Sequence, residues 1–219
     1  MNKTGFLFDL DGVIVDTAKY HYLAWKDLAE ELSIPFTIQD NELLKGVSRM
    51  RSFEIILGLG GRTMSEEEKN AYCTKKNDVY LSYIDQLTKD DVLPGARDFL
   101  LAAKAAGIGV ALGSASKNAP RILDKLELTE LFDAIMDGTK VSSAKPDPEV
   151  FVKGAEALGI PCAQCIVFED ATAGIEAAHA GGMKAVGVGK KEDLPAADTW
   201  ISSFAGLTPQ DILTHFSSL

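Results

Sequence analysis

Gly5-Phe6-Leu7-Phe8-Asp9-Leu10-Asp11-Gly12-Val13 is an apolar run that ends in two aspartates. Phe6, Leu7 and Phe8 are too apolar for an exposed strand and predict a short strand that is buried on both faces. Gly12 allows a sharp turn after that strand. The C-terminal end of a buried strand is where open parallel sheets bind their ligands. The run therefore predicts an α/β fold with polar groups at one edge of its sheet.

Two neighbouring carboxylates are costly to ionise together unless a cation shares them. Asp9 and Asp11 therefore indicate a hard metal ion and a carboxylate that is free to attack an electrophile. The alternative is a strand end followed by a solvated turn, since aspartate is common in turns. These residues alone leave both interpretations open.

The composition bounds the class of protein. The chain has 219 residues, enough for one sizeable core plus a smaller domain. Its hydrophobic fraction of 46% and charged fraction of 25% are ordinary for a globular protein. The net charge of -10 argues against nucleic acid or an anionic membrane as the main partner. The same charge repels a phosphorylated substrate at long range, so any phosphate-binding site must carry local positive charge.

The start of the chain and the cysteines bear on location. Met1 to Gly5 lead straight into the predicted strand, which leaves no room for a signal peptide, and no apolar run is long enough to span a bilayer. Cys73, Cys162 and Cys165 are an odd number, which disfavours a disulfide framework. Cys162 and Cys165 have a redox-motif spacing, but they precede a predicted strand rather than a helix. We expect a cytoplasmic monomer with a small-molecule substrate.

Strands and helices alternate after about residue 90. The pattern predicts strands at 109–113, 133–137, 165–168 and 185–188, and helices at 96–106, 119–126, 148–158, 172–180 and 209–216. This alternation predicts a doubly wound, Rossmann-like α/β core with a parallel sheet.

The segment from residue 16 to residue 87 does not alternate in this way. Helical spacing runs through residues 20–32 and 65–83, and Ser65-Glu66-Glu67-Glu68 has the form of a capping box. We therefore predict an inserted helical cap domain at residues 16–87, and a core domain made of residues 1–15 and 88–219.

Three further strand ends carry polar groups. Ser114-Ala115-Ser116-Lys117-Asn118 offers hydroxyls and backbone N–H groups before a helix, which suits an anion, although a plain helix N-cap explains one serine. Lys145 in the loop before a helix could reach a phosphate, although a lone lysine is usually a surface charge. Glu169 and Asp170 supply hard oxygen ligands. Together with the end that carries Asp9 and Asp11, this makes four polar strand ends at one edge of the sheet, which specifically indicates a functional site.

These motifs resemble, in order and spacing, the four motifs of the haloacid dehalogenase superfamily of aspartate-based phosphotransferases. The resemblance covers essentially the whole chain and implies that Asp9 is the nucleophile and Asp11 the general acid/base. It also implies a Mg²⁺ ion held by Asp9, by Asp170 and by the Asp11 carbonyl, with Glu169 beside them. Such chemistry needs charge neutralisation and alignment above all. The resemblance further implies that Ser114 and Lys145 bind the transferring phosphoryl group.

The inserted segment is similar to the cap of sugar-phosphate mutases within that superfamily. The matching stretches are Asp16 to His21 with Trp25, Leu44 to Arg49, and Lys75 to Asp78. The similarity also extends to the phosphate loop of the core, Ser114, Ala115, Ser116, Lys117 and Asn118. It places the non-reacting phosphate on Arg49, Ser116, Lys117 and Asn118. It places the sugar and the hinge near Thr17, His21, Trp25, Lys45, Gly46, Val47, Ser48, Ser52 and Lys76.

Spacing alone leaves simpler alternatives for several of these residues. His21 and Trp25 are four apart on one helix face, so core packing explains them equally well. Arg49 and Lys45 could be ordinary surface charges. Ala171 departs from the superfamily, which often has a serine there, so one hydrogen bond near the metal would be missing.

Two phosphate sites distinguish a mutase from a phosphatase, because a bisphosphorylated intermediate must present each end in turn. Together with the resemblance, this implies a Mg²⁺-dependent mutase that interconverts β-glucose 1-phosphate and glucose 6-phosphate through β-glucose 1,6-bisphosphate and phosphorylated Asp9. A sugar-phosphate phosphatase on the same scaffold is the alternative. A phospho-acceptor switch is a third possibility, although a switch needs neither a cap nor Asp11.

Overall fold

The computed structural model describes residues 3–44 and 47–217. The described residues form one sheet of six parallel strands. Its strands are β1 (Gly5–Phe8), β2 (Gly109–Gly113), β3 (Ala134–Met136), β4 (Cys165–Glu169), β5 (Lys184–Val188) and β6 (Thr199–Ile201). Their order in the sheet is β3-β2-β1-β4-β5-β6. The predicted parallel α/β fold is therefore confirmed.

Helices precede or follow most strands. Four lie between β1 and β2 in the chain: α1 (Ala18–Glu31), α2 (Ile38–Glu42), α3 (Arg49–Leu59) and α4 (Glu66–Ile84). The others are α5 (Ala96–Ala105), α6 (Ala119–Lys125), α7 (Glu149–Leu158), α8 (Thr172–Ala180) and α9 (Pro209–Ser217). Single 3₁₀ turns lie at Lys89–Asp91, Thr129–Leu131 and Cys162–Gln164.

The central strand β1 is buried on both faces. Phe6 and Phe8 point to one face, where Phe8 stacks on Phe168 with ring centroids 4.6 Å apart. Leu7 points to the other face and packs with Val167 and the residues of α7. Burial of these large side chains supplies the main favourable term in folding and holds the strand ends in register.

The four inserted helices have a hydrophobic core of their own, which includes Trp25, Phe53 and Ile56. Tyr80 and Ile84 of α4 pack instead with the cluster on the sheet. The predicted capping box is present, since Ser65 Oγ accepts from the Glu68 N–H and Glu68 accepts from the Ser65 N–H. The boundaries of the cap domain at residues 16 and 87 stay a prediction.

One strand differs from the sequence-based prediction. Strand β6 was not predicted, because Thr199–Ile201 is short and only half buried. The Cys162 to Cys165 spacing carries no disulfide, since both thiols are free. Burial raises the pKa of the Cys165 thiol to about 12, which leaves little reactive thiolate. No helix in residues 3–44 or 47–217 is long and apolar enough to cross a membrane.

Candidate active site

Neighbouring parallel strands bring the predicted site residues to one edge of the sheet. Asp9 follows β1, and its N–H donates to the carbonyl of Phe168 in β4 at 3.0 Å. Ser114 follows β2, and its N–H donates to the carbonyl of Met136 in β3 at 2.9 Å. Because β2, β1 and β4 are adjacent, these ends meet at the place where open α/β sheets bind ligands.

A buried lysine joins two of the carboxylates at this edge. Lys145 Nζ donates to Asp9 Oδ1 at 2.5 Å and to Glu169 Oε2 at 2.8 Å. Burial alone would lower the pKa of Lys145, but the charges of Asp9 and Glu169 outweigh it and raise that pKa. Burial and the charge of Asp9 also raise the pKa of Glu169. One ammonium thus serves two carboxylates, and the site has room for a further positive charge.

Three of the carboxylates form a cluster that could hold a divalent cation. One oxygen from each of Asp9, Glu169 and Asp170 lies within 4.8 Å of the others. Glycine makes the approach possible: a Cβ at Gly12, where φ is +83°, would lie 2.2 Å from Asp170 Oδ2. A Cβ at Gly174 would lie 2.0 Å from the Glu169 side chain. This hard-oxygen set fits a divalent metal.

Asp11 occupies a different environment from Asp9. Burial, followed by the charges of Asp9 and Asp170, raises the pKa of Asp11 to about 8. Thr17, which is fully buried, donates its hydroxyl to Asp11 Oδ1. Such a carboxyl group can hold a proton near neutral pH and exchange it with a reacting oxygen.

The loop after β2 forms a compact turn of hydroxyls and N–H groups. Ser114 Oγ accepts from the Ser116 N–H at 3.1 Å, and Ser116 Oγ accepts from the Asn118 N–H at 3.2 Å. The Asn118 amide donates to Asn77 Oδ1 in α4 at 2.9 Å. The loop therefore carries the predicted anion-binding groups and also contacts the inserted helices.

The inserted helices contribute a second cationic group. Lys76 Nζ lies 2.8 Å from His21 Nδ1 and 4.7 Å from the centroid of the Trp25 ring. Burial, followed by the charge of Arg49, lowers the pKa of Lys76 to about 7. Burial and the charges of Lys76 and Arg49 lower the pKa of His21 well below its usual value. When Lys76 is protonated, its ammonium can donate to the neutral ring of His21.

The positions of Arg49 and Trp25 bear on two of the open alternatives. Arg49 begins α3, is partly buried and lines the cavity, and burial lowers its pKa, so it is not an ordinary surface charge. Trp25 packs on Phe53 with ring centroids 6.2 Å apart and also lines the cavity. Core packing and cavity lining therefore both apply to Trp25.

A cavity of about 450 Å³ lies between the sheet edge and the inserted helices. Most predicted site residues line it: Asp9, Asp11, His21, Trp25, Val47, Ser48, Arg49, Ser52, Lys76, Ser114, Ala115, Ser116, Lys117, Asn118, Glu169 and Asp170. Thr17 and Lys145 do not line it, and they contact Asp11 and Asp9 respectively. The predicted residues Lys45 and Gly46 lie outside the described part of the chain.

Sequence reasoning missed several lining residues, among them Asn41, Asn77, Ser142 and Ser143. Asn77 lies beside Lys76 in a segment that had been matched, and the serines precede Lys145, so proximity to those motifs could have suggested them. Asn41 lies on the short helix α2, and no pattern in the sequence singles it out.

The chain belongs to the family described as haloacid dehalogenase-like hydrolase, whose model matches residues 3–182. The chain is 44% identical to a β-phosphoglucomutase of Bacillus subtilis (strain 168), over 92% of this chain and 90% of that protein. The crystal structure of a β-phosphoglucomutase from Clostridium difficile matches with a TM-score of 0.95 at 42% identity, over 99% of this chain and 98% of that chain. A fructose-1-phosphate phosphatase of Escherichia coli (strain K12) is 32% identical, over 84% of this chain and 95% of that protein.

Proposed function

We propose that this protein is a Mg²⁺-dependent β-phosphoglucomutase. It interconverts β-glucose 1-phosphate and glucose 6-phosphate through β-glucose 1,6-bisphosphate and a phosphorylated Asp9. The observation that carries the proposal is one cavity whose lining includes both Asp9 and Arg49. We assign its polar lining groups to two phosphate sites. Two relatives named β-phosphoglucomutase, which match nearly the whole chain, support the choice of substrate.

The first set of groups acts on the phosphoryl group that is transferred. Asp9 attacks phosphorus, and the bond to the departing sugar oxygen breaks. Lys145 and Ser114 neutralise and orient the phosphoryl oxygens, since this reaction is catalysed mainly by alignment and charge. Lys145 also donates to Asp9 itself. It therefore orients the nucleophile as well as the phosphoryl group.

Asp11 handles the proton in each half of the reaction. With a pKa of about 8 it is largely protonated at neutral pH and can donate to the departing sugar oxygen. In the reverse transfer its carboxylate takes the proton from the attacking hydroxyl. The hydroxyl of Thr17 fixes the carboxyl group that performs both steps.

The second set of groups holds the phosphate that does not react. Arg49 on α3 and Ser116 to Asn118 after β2 line the same cavity. A bisphosphate can therefore be held at either end while the other end faces Asp9. Binding energy from this remote phosphate assembles the site and excludes water.

Asp9, Glu169, Asp170 and the carbonyl of Asp11 are the groups that would hold Mg²⁺. The bound ion supplies positive charge at the transferring phosphoryl group. Ala171, where the superfamily often has a serine, still donates its backbone N–H to Glu169 Oε1 at 3.2 Å. The main chain therefore orients Glu169 without a side-chain hydroxyl.

A sugar-phosphate phosphatase is the second candidate, because a fructose-1-phosphate phosphatase matches over 84% of the chain. One assay separates the two. The protein is incubated with β-glucose 1-phosphate, Mg²⁺ and a trace of β-glucose 1,6-bisphosphate, and glucose 6-phosphate and free phosphate are measured together. Glucose 6-phosphate in excess supports the mutase, and free phosphate in excess contradicts it. A monomeric state and a cytoplasmic location remain predictions.

A further inference from the structure

Lys145 is delivered to the site by a loop without regular secondary structure. The loop runs from the end of β3 to the start of α7, and Ser142 and Ser143 within it line the cavity. Lys145 itself is buried, with only 3% of its surface exposed. A long lysine side chain loses considerable conformational entropy when it is fixed in this way, so the backbone that carries it must be well placed.

One carboxylate oxygen holds the middle of this loop. Glu149 Oε2 accepts from the Ser142 N–H at 2.8 Å, from the Ser142 hydroxyl at 2.9 Å and from the Ser143 N–H at 2.7 Å. Glu149 is the first residue of α7, so its position is set by a helix that packs under the sheet. These three hydrogen bonds to one oxygen fix the positions of Ser142 and Ser143, and Ser143 lies two residues before Lys145.

A second contact holds Glu149 in turn. Lys153, one turn further along α7, lies with Nζ 2.6 Å from Glu149 Oε1 and donates to the carbonyl of Lys140 at 2.8 Å. The hydrogen bonds from Lys153 and from the Ser143 N–H lower the pKa of Glu149 to about 2, so it stays ionised at neutral pH. The ammonium of Lys145 also lies 4.7 Å from the ring centroid of Phe151. Three residues of α7 therefore support this loop.

A simpler explanation is that Glu149 only places a negative charge in the first turn of a helix, where it interacts well with the helix dipole. That explanation accounts for a glutamate at this position but not for the direction in which its side chain points. The side chain turns back to a segment six and seven residues earlier, and it takes both N–H groups and a hydroxyl there.

We propose that Glu149 is a positioning residue for Lys145: it fixes Ser142 and Ser143 and thereby sets where the Lys145 ammonium lies between Asp9 and Glu169. The proposal rests on the proposed function, in which Asp9 accepts the phosphoryl group and Lys145 aligns it. A displacement of about 1 Å in such a group can cost on the order of a hundredfold in rate. Glu149 touches neither the substrate nor the reacting atoms.

The test follows the first chemical step. With enzyme in excess over acetyl phosphate, loss of acetyl phosphate reports phosphorylation of Asp9, and intact mass confirms the adduct. Glu149→Ala should slow this step by roughly ten- to a hundredfold, with a much smaller change in the KM for β-glucose 1-phosphate. Glu149→Gln should lose less, because its amide oxygen can still accept from the loop. Glu30→Gln, which removes an exposed pair with Lys26 at the same i,i+4 spacing on α1, is the control and should leave the rate unchanged.

A double-mutant comparison separates positioning from general damage to the fold. If Glu149 acts through Lys145, then Glu149→Ala should add little to the loss already caused by Lys145→Ala. An equal loss in both backgrounds overturns the proposal, and so does a wild-type rate in Glu149→Ala. If Glu149→Ala does not fold, Glu149→Asp, which withdraws the carboxylate by one methylene, serves in the same comparison.

The same assay distinguishes failure of this inference from failure of the proposed function. A wild-type chain that takes no phosphoryl group onto Asp9 overturns both. A wild-type chain that is phosphorylated rapidly, beside an equally rapid Glu149→Ala, overturns only the positioning role of Glu149.

Discussion

The ammonium of Lys145 lies 2.5 Å from Oδ1 of Asp9, at the end of the central strand. Glu169 shares the same ammonium, with its Oε2 2.8 Å from Nζ. Removal of one of the two carboxylates leaves a balanced pair of Lys145 with the other. A neutral residue at position 9 should therefore be tolerated by the fold.

Asp9→Asn keeps the shape of the nucleophile and removes its attacking charge. We expect turnover to fall by at least about a thousandfold, since loss of a nucleophile usually leaves only residual catalysis. Circular dichroism and thermal unfolding should show an intact fold. A variant that retains more than about a tenth of wild-type activity would contradict the aspartyl-phosphate mechanism.

Asp11→Asn tests the division of roles between the two aspartates. The amide can still accept from the Thr17 hydroxyl, but it cannot transfer a proton, so turnover should fall by on the order of 10²–10⁴. Mg²⁺ affinity, measured by calorimetry, should be largely kept, because the contact proposed for residue 11 is its backbone carbonyl. Asp170→Asn should weaken that affinity. The opposite pattern would show that the two roles are wrongly assigned.

Lys76 gives the site a pH dependence near neutrality. Its pKa of about 7 means that the ammonium is lost as pH rises through that value, so the KM for β-glucose 1-phosphate should rise across the same range. Titration of the substrate phosphate affects wild type and variants alike. The ratio of KM values for wild type and Lys76→Met therefore isolates Lys76. A ratio that does not change with pH would contradict the assignment.

The free energy of unfolding should also depend on the protonation of Lys76, and the direction of that dependence can be stated. In the unfolded chain Lys76 keeps its usual pKa of 10.5, whereas in the fold burial lowers it to about 7. Between these values the unfolded chain binds one proton more at Lys76, so the contribution of Lys76 to the free energy of unfolding should rise with pH. Lys76→Met should remove that rise, as urea unfolding at several pH values can show.

The fold was largely predictable because its strands and helices are regular in the sequence. The predicted strand at 109–113 matches β2, since Gly109–Gly113 is a compact apolar segment between turn signals. Strand β6 was missed because its three residues are half buried and lie at the edge of the sheet. Short edge strands have neither a continuous apolar run nor clear alternation.

Residue patterns alone predicted the part of the site that lies at strand ends, whereas the cavity-lining residues of the inserted helices were predicted only through the family resemblance. Asp9, Ser114 and Glu169 end neighbouring parallel strands, and such ends must meet. The contact of Asn118 with Asn77 joins the loop after β2 to helix α4, which are far apart in the chain, and sequence patterns do not measure such distances. The turn of Glu149 back to Ser142 likewise depends on the path of an irregular loop.

An exposed ion pair joins the inserted helices to the core. Arg121 on α6 holds Asp85 after α4 in a bidentate pair, with Nη2 at 2.6 Å and 2.7 Å from the two oxygens. Such a pair contributes at most about 1 kcal/mol to stability, and salt screens it. Arg121→Gln should hardly change the melting temperature. It should raise the KM several-fold, because it weakens a contact that holds the inserted helices against the core.

Salt supplies the check on this prediction. The KM of wild type should approach that of Arg121→Gln as salt increases, because screening weakens the same contact. Arg51→Gln, which removes a pair with Glu54 inside α3, is the matched control. An equal effect of Arg51→Gln would show that the Arg121 pair has no special role in closure.

Arg49 tests whether the protein is a mutase or a phosphatase. In a mutase Arg49 binds the phosphate that is not reacting, and this binding draws the inserted helices over the aspartates. Arg49→Ala should therefore reduce mutase turnover and raise the KM. A charge-assisted contact of this kind contributes about 1.5–3 kcal/mol, or roughly ten- to a hundredfold. Acetyl phosphate has no second phosphate, so its hydrolysis should hardly change.

The measurement is the ratio of these two activities in wild type and in Arg49→Ala, with Arg51→Ala on the same helix as the control. A ratio that falls only in Arg49→Ala supports a second phosphate site at Arg49. If both activities fall equally, Arg49 is structural, because a damaged fold slows every reaction at Asp9. If wild type releases phosphate faster than it isomerises β-glucose 1-phosphate, water competes successfully with the sugar hydroxyl, and the protein is a phosphatase.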